Sequence, residues 1–240
     1  MRFPSPLVPG VLIRRHQRFL AEVRLVDGRL ITAHCPNSGR MTGCNVPGRE
    51  VLLSLAENPK RKTRYTWELI SLPSTWVGVN TLTANRLVAE AAHKRSIPEL
   101  GPFDEVTREV KLAHSRIDFC LLRGDISLFV EVKNVTLVEN GTALFPDAPT
   151  ARGRKHLQTL IDATQRGHRS AMLYVVQRED AERFAPATHI DLAYAQTFRR
   201  AQQAGVKIIV YRARVSPEEI LLDSSLPLVS CNQNNFSNQF

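Results

Sequence analysis

The chain has 240 residues, 43% hydrophobic and 23% charged, a composition typical of a folded globular protein that excludes disordered and fibrous classes. No run approaches the roughly 18 uninterrupted apolar residues of a spanning helix, so a membrane-embedded protein is excluded as well. The charge is more informative: 32 Lys and Arg against 23 Asp and Glu leave +9, an excess that favours an anionic partner, most often nucleic acid.

Pro4 and Pro6 stand where a secretory leader would need a helical apolar core, and the four cysteines, at 35, 44, 120 and 231, lack the tight paired spacings of a zinc module. A cytoplasmic protein with reduced thiols is expected. Residues 1–80 hold 12 Lys or Arg against 5 Asp or Glu, a balance of +7, whereas residues 81–240 hold 20 against 18. This asymmetry divides the chain into two domains with different tasks, 1–80 and 81–229, followed by a polar tail.

Only strand signals occur before Asn80. The runs Phe19 to Val26 and Arg29 to His34 flank Asp27-Gly28, a strong hairpin signal, which as a two-residue turn sets Leu25 opposite Leu30 and Val23 opposite Thr32. Further runs lie near Val51 to Leu55, Tyr65 to Ser71 and Trp76 to Val79. About five short strands with no helical period between them predict a small all-β barrel. An oligonucleotide-binding barrel (OB-fold-like) fits best, with an SH3-like barrel as the alternative. The turn carrying Lys60, Arg61, Lys62 and Arg64, next to Tyr65 and Trp67, suits phosphates and stacked bases, or else is a solvated tip with its aromatics in the core.

Beyond Asn80 the texture becomes α/β. Leu87, Val88 and Ala91 recur at helical spacing between Thr83 and Ser96. Strand-like runs follow over Val106 to Ala113, Arg116 to Leu122 and Ser127 to Val135. Helices are expected over Arg152 to Arg166 and Asp191 to Ala204, each closed by a glycine, with strands at Ser170 to Val176 and Val206 to Tyr211.

The middle hairpin can be registered, because Gly124-Asp125 is a turn pair. Phe119 then faces Val130, Leu121 faces Leu128 and Ile117 faces Val132, all on one apolar face. On the opposite face Asp118 lies across from Glu131, with Lys133 two residues along. Two facing carboxylates repel unless a cation lies between them, and Mg²⁺ binds through one or two carboxylates while keeping waters and phosphate oxygens. A nearby lysine suits the charge that builds on phosphorus, so Asp118, Glu131 and Lys133 together fit metal-assisted phosphodiester hydrolysis. The bland alternative is a charged outer face that Lys133 neutralises.

The run Thr150-Ala151-Arg152-Gly153-Arg154-Lys155-His156 opens a helix with three cations where the macrodipole favours acids. Arg152, Arg154 and Lys155 with free backbone amides make a candidate phosphate site. His156 is a candidate phosphate contact or a packed histidine. The tail Ser230 to Phe240, with four Asn and two Gln, has no periodicity and is expected to be disordered.

The pattern Ile117-Asp118-Phe119 followed by Val130-Glu131-Val132-Lys133 resembles the PD-(D/E)xK nuclease superfamily. Four motifs in order, His34-Cys35-Pro36-Asn37-Ser38-Gly39-Arg40-Met41, Arg116-Ile117-Asp118-Phe119, Glu131-Val132-Lys133-Asn134-Val135 and Phe145-Pro146-Asp147-Ala148-Pro149-Thr150, resemble the sugar fermentation stimulation protein A family of bacteria. The resemblance implies an N-terminal OB barrel, a C-terminal PD-(D/E)xK nuclease-like α/β domain, nonspecific DNA binding and a regulatory role in maltose metabolism. It implies Mg²⁺ or Mn²⁺ on Asp118 and Glu131, Lys133 as the catalytic lysine, and Glu90 as the helical acid that many superfamily members place before the sheet. Two readings stay open: a DNA-binding protein with a nuclease-like metal site, and an active Mg²⁺-dependent endonuclease or exonuclease.

Overall fold

Hydrophobic alternation of period two closes the first domain. In the computed structural model, which describes residues 1–58 and 60–229, the barrel comprises β1 (Val8–His16), β2 (Leu20–Leu25), β3 (Leu30–His34), β4 (Glu50–Leu55) and β5 (Tyr65–Ser71). β1 pairs with both β2 and β4, β4 pairs with β5, and a short parallel pairing of β3 with β5 closes the ring. Closure between β3 and β5 is the OB arrangement, which decides against the SH3-like alternative. Leu12, Ala21, Val23, Leu53 and Trp67 fill the interior. The expected tail lies outside the described residues.

β1 escaped the sequence reading because Pro9 and Gly10 break the strand pattern. The glycine is needed: a Cβ there would stand 2.5 Å from Val23 Cγ1 and 2.9 Å from the Arg24 carbonyl, so β2 can cross β1 closely only without one. β6 (Trp76–Gly78), which sequence counted as a barrel strand, pairs on the outer edge of β5 and leads the chain away. The β2–β3 hairpin is shifted by one residue, with Val23 opposite Ile31 and Arg24 opposite Leu30. Its turn has three residues rather than two: only Gly28 takes positive φ (85°), and the Asp27 carboxylate accepts the Arg29 N–H. Trp67 is fully buried with its indole N–H on the Leu69 carbonyl, so it cannot stack on bases.

Asn80 caps α1 (Thr81–His93) by accepting from the Leu82 amide. The remaining elements are β7 (Glu105–Leu112), β8 (Ser115–Arg123), β9 (Ile126–Val135), β10 (Leu137–Glu139), β11 (Thr142–Phe145), α2 (Ala151–Gln165), β12 (Arg169–Val176), β13 (Arg183–Pro186), α3 (Leu192–Gln203), β14 (Lys207–Val215) and β15 (Ile220–Ser225). The main sheet runs β15-β14-β12-β9-β8-β7, with β9, β12 and β14 parallel, and β10-β11-β13 forms a small second sheet. Residues 170–176 of β12 are buried throughout, as a parallel strand covered on both faces must be. α1 covers one face through Leu87, Val88 and Ala91, while α2 and α3 cover the other through Leu157, Leu160 and Phe198. The small sheet and β15 carried no strand signal in the sequence. No helix among the described residues is long and apolar enough to cross a membrane.

Candidate metal and nucleic-acid site

The β8–β9 hairpin has the expected register: Arg123 pairs with Ile126 around Gly124-Asp125, Leu121 with Leu128 and Phe119 with Val130. The ladder ends at Phe119, and Asp118 and Glu131 sit one step beyond, where the strands part. Asp118 Oδ2 accepts the Val132 N–H at 2.8 Å, so a side chain replaces the main-chain partner that β8 no longer offers. On the other side of β8 the pairing with β7 also skips a step: Glu109, between the partners of Phe119 and Ile117, has φ of 56°. This break turns Ile117 into the α2 side of the core. It does not share the face of Phe119 and Val130, contrary to a strict alternation.

Asp118 Oδ1 accepts from Asn85 Nδ2 of α1 at 2.9 Å. Glu131, only 2% exposed, receives Lys133 Nζ and His156 Nδ1 on Oε1. Arg152 Nε donates to His156 Nε2 at 3.4 Å, which leaves the imidazole proton on Nδ1, facing Glu131. Glu131 Oε2 is buried without a partner among the described residues. Burial and the Glu131 charge push the Asp118 carboxyl up, only partly offset by the Val132 amide, Lys133 and Asn85. For Glu131, burial alone would raise the carboxyl, but Lys133 and His156 hold it below the usual range.

Asp118, Glu131 and Lys133 line a cleft of about 470 Å³ between the two domains, with Asn85, Arg152 and Arg18. The first turns of α1 and α2, on opposite faces of the sheet, both reach it. The barrel loop Asn37–Gly39 and the segment Phe145–Thr150 complete its walls. These two motifs are joined directly: Asp147 Oδ2 accepts the Met41 N–H at 2.8 Å, and a Cβ on Gly39 would lie 2.5 Å from the same oxygen.

Not every residue expected at the site is there. Glu90 pairs with Lys94 at 2.6 Å and with the Met1 amino group at 3.1 Å, away from the cleft. It lies five residues beyond Asn85, about 140° round the helix, so the α1 residue that reaches Asp118 is the amide. Arg154 is committed to Asp191, its Nη1 at 2.9 Å from Oδ2. Lys155 is exposed and outside the cleft lining, and Lys60, Arg61, Lys62 and Arg64 are exposed on the β4–β5 turn, also outside it. Arg152 alone of the helix-start cations faces the cleft. Asn85 and Arg18 carried no signal in the sequence, since each acts through a contact made by the fold.

Asp191 explains how α2 tolerates three cations at its start. It caps α3 by accepting the Tyr194 amide, and it also accepts the Thr150 amide at the α2 cap and pairs with Arg154. Burial alone would raise its carboxyl, but these donors hold it below its ordinary value of 3.8. A carboxyl lowered on folding stabilises above its unfolded pKa and loses that contribution as pH falls through the folded one. Asp191→Asn is therefore expected to lower the melting temperature at pH 7, with the gap from wild type beginning to narrow below about pH 3.8, where the unfolded carboxyl protonates, and closing as pH falls through the lower folded pKa. A gap independent of pH from 7 to 2.5 would contradict the ion pair's role.

As for cation ligands, no group of three or more His, Cys, Asp or Glu suited to a metal occurs among the described residues. Two carboxylates with a buried unpartnered oxygen still match the donor set of Mg²⁺ or Mn²⁺, which fill the remaining positions with water and phosphate.

Comparison with known proteins gives concordant matches. The family described as the sugar fermentation stimulation protein RE domain matches residues 82–219, and the SfsA N-terminal OB domain matches residues 13–79. A sugar fermentation stimulation protein homolog of Geobacter sulfurreducens is 51% identical over 231 residues, covering 96% of this chain and 99% of that protein. The homolog of Geobacter metallireducens is 51% identical, covering 95% and 100%. The structure of Pyrococcus furiosus SfsA in complex with Ca²⁺ superposes with a TM-score of 0.88 at 27% identity, covering 96% of this chain and 98% of that one.

Proposed function

The chain belongs to the sugar fermentation stimulation protein family, and on that premise we propose that it binds DNA without regard to sequence and hydrolyses its phosphodiester bonds with a divalent cation, Mg²⁺ or Mn²⁺. The observation that carries the proposal is Glu131 Oε2, buried and unpartnered at a cleft that also holds Asp118 and Lys133. The Ca²⁺ bound by the Pyrococcus furiosus relative supports a divalent cation here. Asp118 and Glu131 would hold such a cation, which would supply a Lewis acid and a more acidic water.

The rest is the work of the chain's own residues. Asp118 and Glu131 would hold the cation. The hydrogen bonds from Val132 and Asn85 fix one carboxylate, and those from Lys133 and His156 fix the other. The Lys133 ammonium, tethered at Glu131, donates to a phosphate oxygen as negative charge builds on it. Arg152 adds positive charge at the cleft edge, and the exposed cations of the β4–β5 turn neutralise phosphates farther along the strand. Through DNA, such a protein acts on the maltose regulation that the family resemblance implies.

A second reading, a DNA-binding regulator that holds the cation without turnover, is favoured by one feature: α1 brings an amide, Asn85, to Asp118 where a third acid would strengthen the site. Incubation of wild type with Mn²⁺ and linear, supercoiled or single-stranded DNA decides between the readings. Cleavage supports hydrolysis, and intact DNA at high protein excess retires it in favour of binding.

DNA binding itself has a separate test. Replacing Lys60, Arg61, Lys62 and Arg64 with alanine is expected to weaken DNA binding and flatten the salt dependence by about 0.9 in log–log slope for each phosphate the turn no longer neutralises. An unchanged slope removes the turn from the interface.

A further inference from the structure

The barrel faces the carboxylates across the cleft through the β1–β2 turn. Gln17 and Arg18 both occupy the left-handed region there, with φ of 47° and 64°, a conformation that ordinary side chains adopt at a cost and that is over-represented where function requires it. Arg18 Nε donates to the Ser38 carbonyl at 2.9 Å. The supporting loop is fixed in turn: Arg15 Nη2 donates to the Asn37 carbonyl at 2.7 Å, and Asn37 Nδ2 donates to the Val79 carbonyl at 3.1 Å. The two terminal nitrogens of Arg18 have no hydrogen-bond partner among the described residues, and the residue lines the same cleft as Asp118, Glu131 and Lys133. Lys133 is engaged by Glu131 and Arg152 by His156, whereas the Arg18 guanidinium, its carbon 6.0 Å from the Phe19 ring centroid, brings two terminal nitrogens free of hydrogen bonds among the described residues into the cleft from the other domain.

From this we propose that Arg18 is a substrate-binding residue that grips a phosphate of a single DNA strand in the cleft, so that the barrel completes the carboxylate site. The assignment rests on the DNA reading above. A planar fork held at Nε presents paired donors to one phosphate, a geometry that lysine cannot reproduce. The cleft of about 470 Å³, open to solvent, has room inside it for a stretch of one backbone and not for both strands of a duplex.

The test uses the full chain and a single-stranded oligonucleotide, with binding measured across salt without divalent metal so that cleavage does not interfere. Arg18→Gly removes the fork while relaxing the turn, because glycine adopts positive φ freely; its melting temperature is expected to equal or exceed that of wild type. Its affinity is expected to fall about tenfold, with a log–log salt slope shallower by about 0.7. Arg18→Asn, also tolerant of this backbone, is expected to show the same loss, and Arg18→Lys to keep the slope while recovering little affinity. Wild-type binding that both Arg18→Gly and Arg18→Asn preserve, slope included, overturns the assignment alone. Absence of any binding by wild type overturns the DNA reading and the assignment with it.

Discussion

Replacing Lys133 with alanine is expected to leave divalent-cation binding within a few-fold of wild type while reducing DNA hydrolysis by about 10²–10³-fold. An ammonium has no lone pair to offer a metal, so its removal takes no ligand away. What disappears is a donor held at the carboxylate pair by its bond to Glu131, with a side chain only 14% exposed. Lys133→Met, which keeps the aliphatic stem, is expected to show the same split, separating the effect of the charge from that of packing. Cleavage at the wild-type rate in either variant would assign the chemistry to another site or to a contaminant.

Glu131→Gln is expected to abolish the thermal stabilisation that Mn²⁺ confers on wild type. A cation at 100 times its dissociation constant stabilises the folded state by about 2.7 kcal/mol. For a chain of this size that corresponds to a rise of about 5–10 °C. The isosteric amide is the informative variant, since Glu131→Ala would leave Lys133 and His156 buried without their partner, at a cost of about 3–5 kcal/mol. An undiminished shift in Glu131→Gln would move the cation elsewhere. The raised Asp118 carboxyl adds a pH signature: protons compete with the cation at higher pH than at an ordinary aspartate, so affinity is expected to climb as pH rises above 3.8.

The pairing of Phe119 with Val130 was legible because a turn pair and an apolar alternation are local, and together they define a register. The same rule failed two residues on, at Ile117, since alternation assumes a continuous ladder and β8 leaves its neighbour at Asp118. Glu90 illustrates the complementary limit. An acid on the right helix was visible, but which end of α1 meets the sheet depends on packing, and the contact falls to Asn85. Arg154 looked free for phosphate because its partner, Asp191, is 37 residues away in sequence. The contact between Met41 and Asp147 spans 106 residues. Local chemistry marks the carboxylates and the lysine, whereas the opposing wall of the cleft, Arg18 included, exists only once the barrel has closed.

Crystals soaked in Mn²⁺ report whether Asp118 and Glu131 share a divalent cation. An anomalous peak is expected within coordination distance of Glu131 Oε2 and the Asp118 carboxylate, absent in Glu131→Gln crystals treated identically. A fully soaked wild-type crystal with no peak between these residues, or with its peak bound elsewhere, would contradict a shared cation.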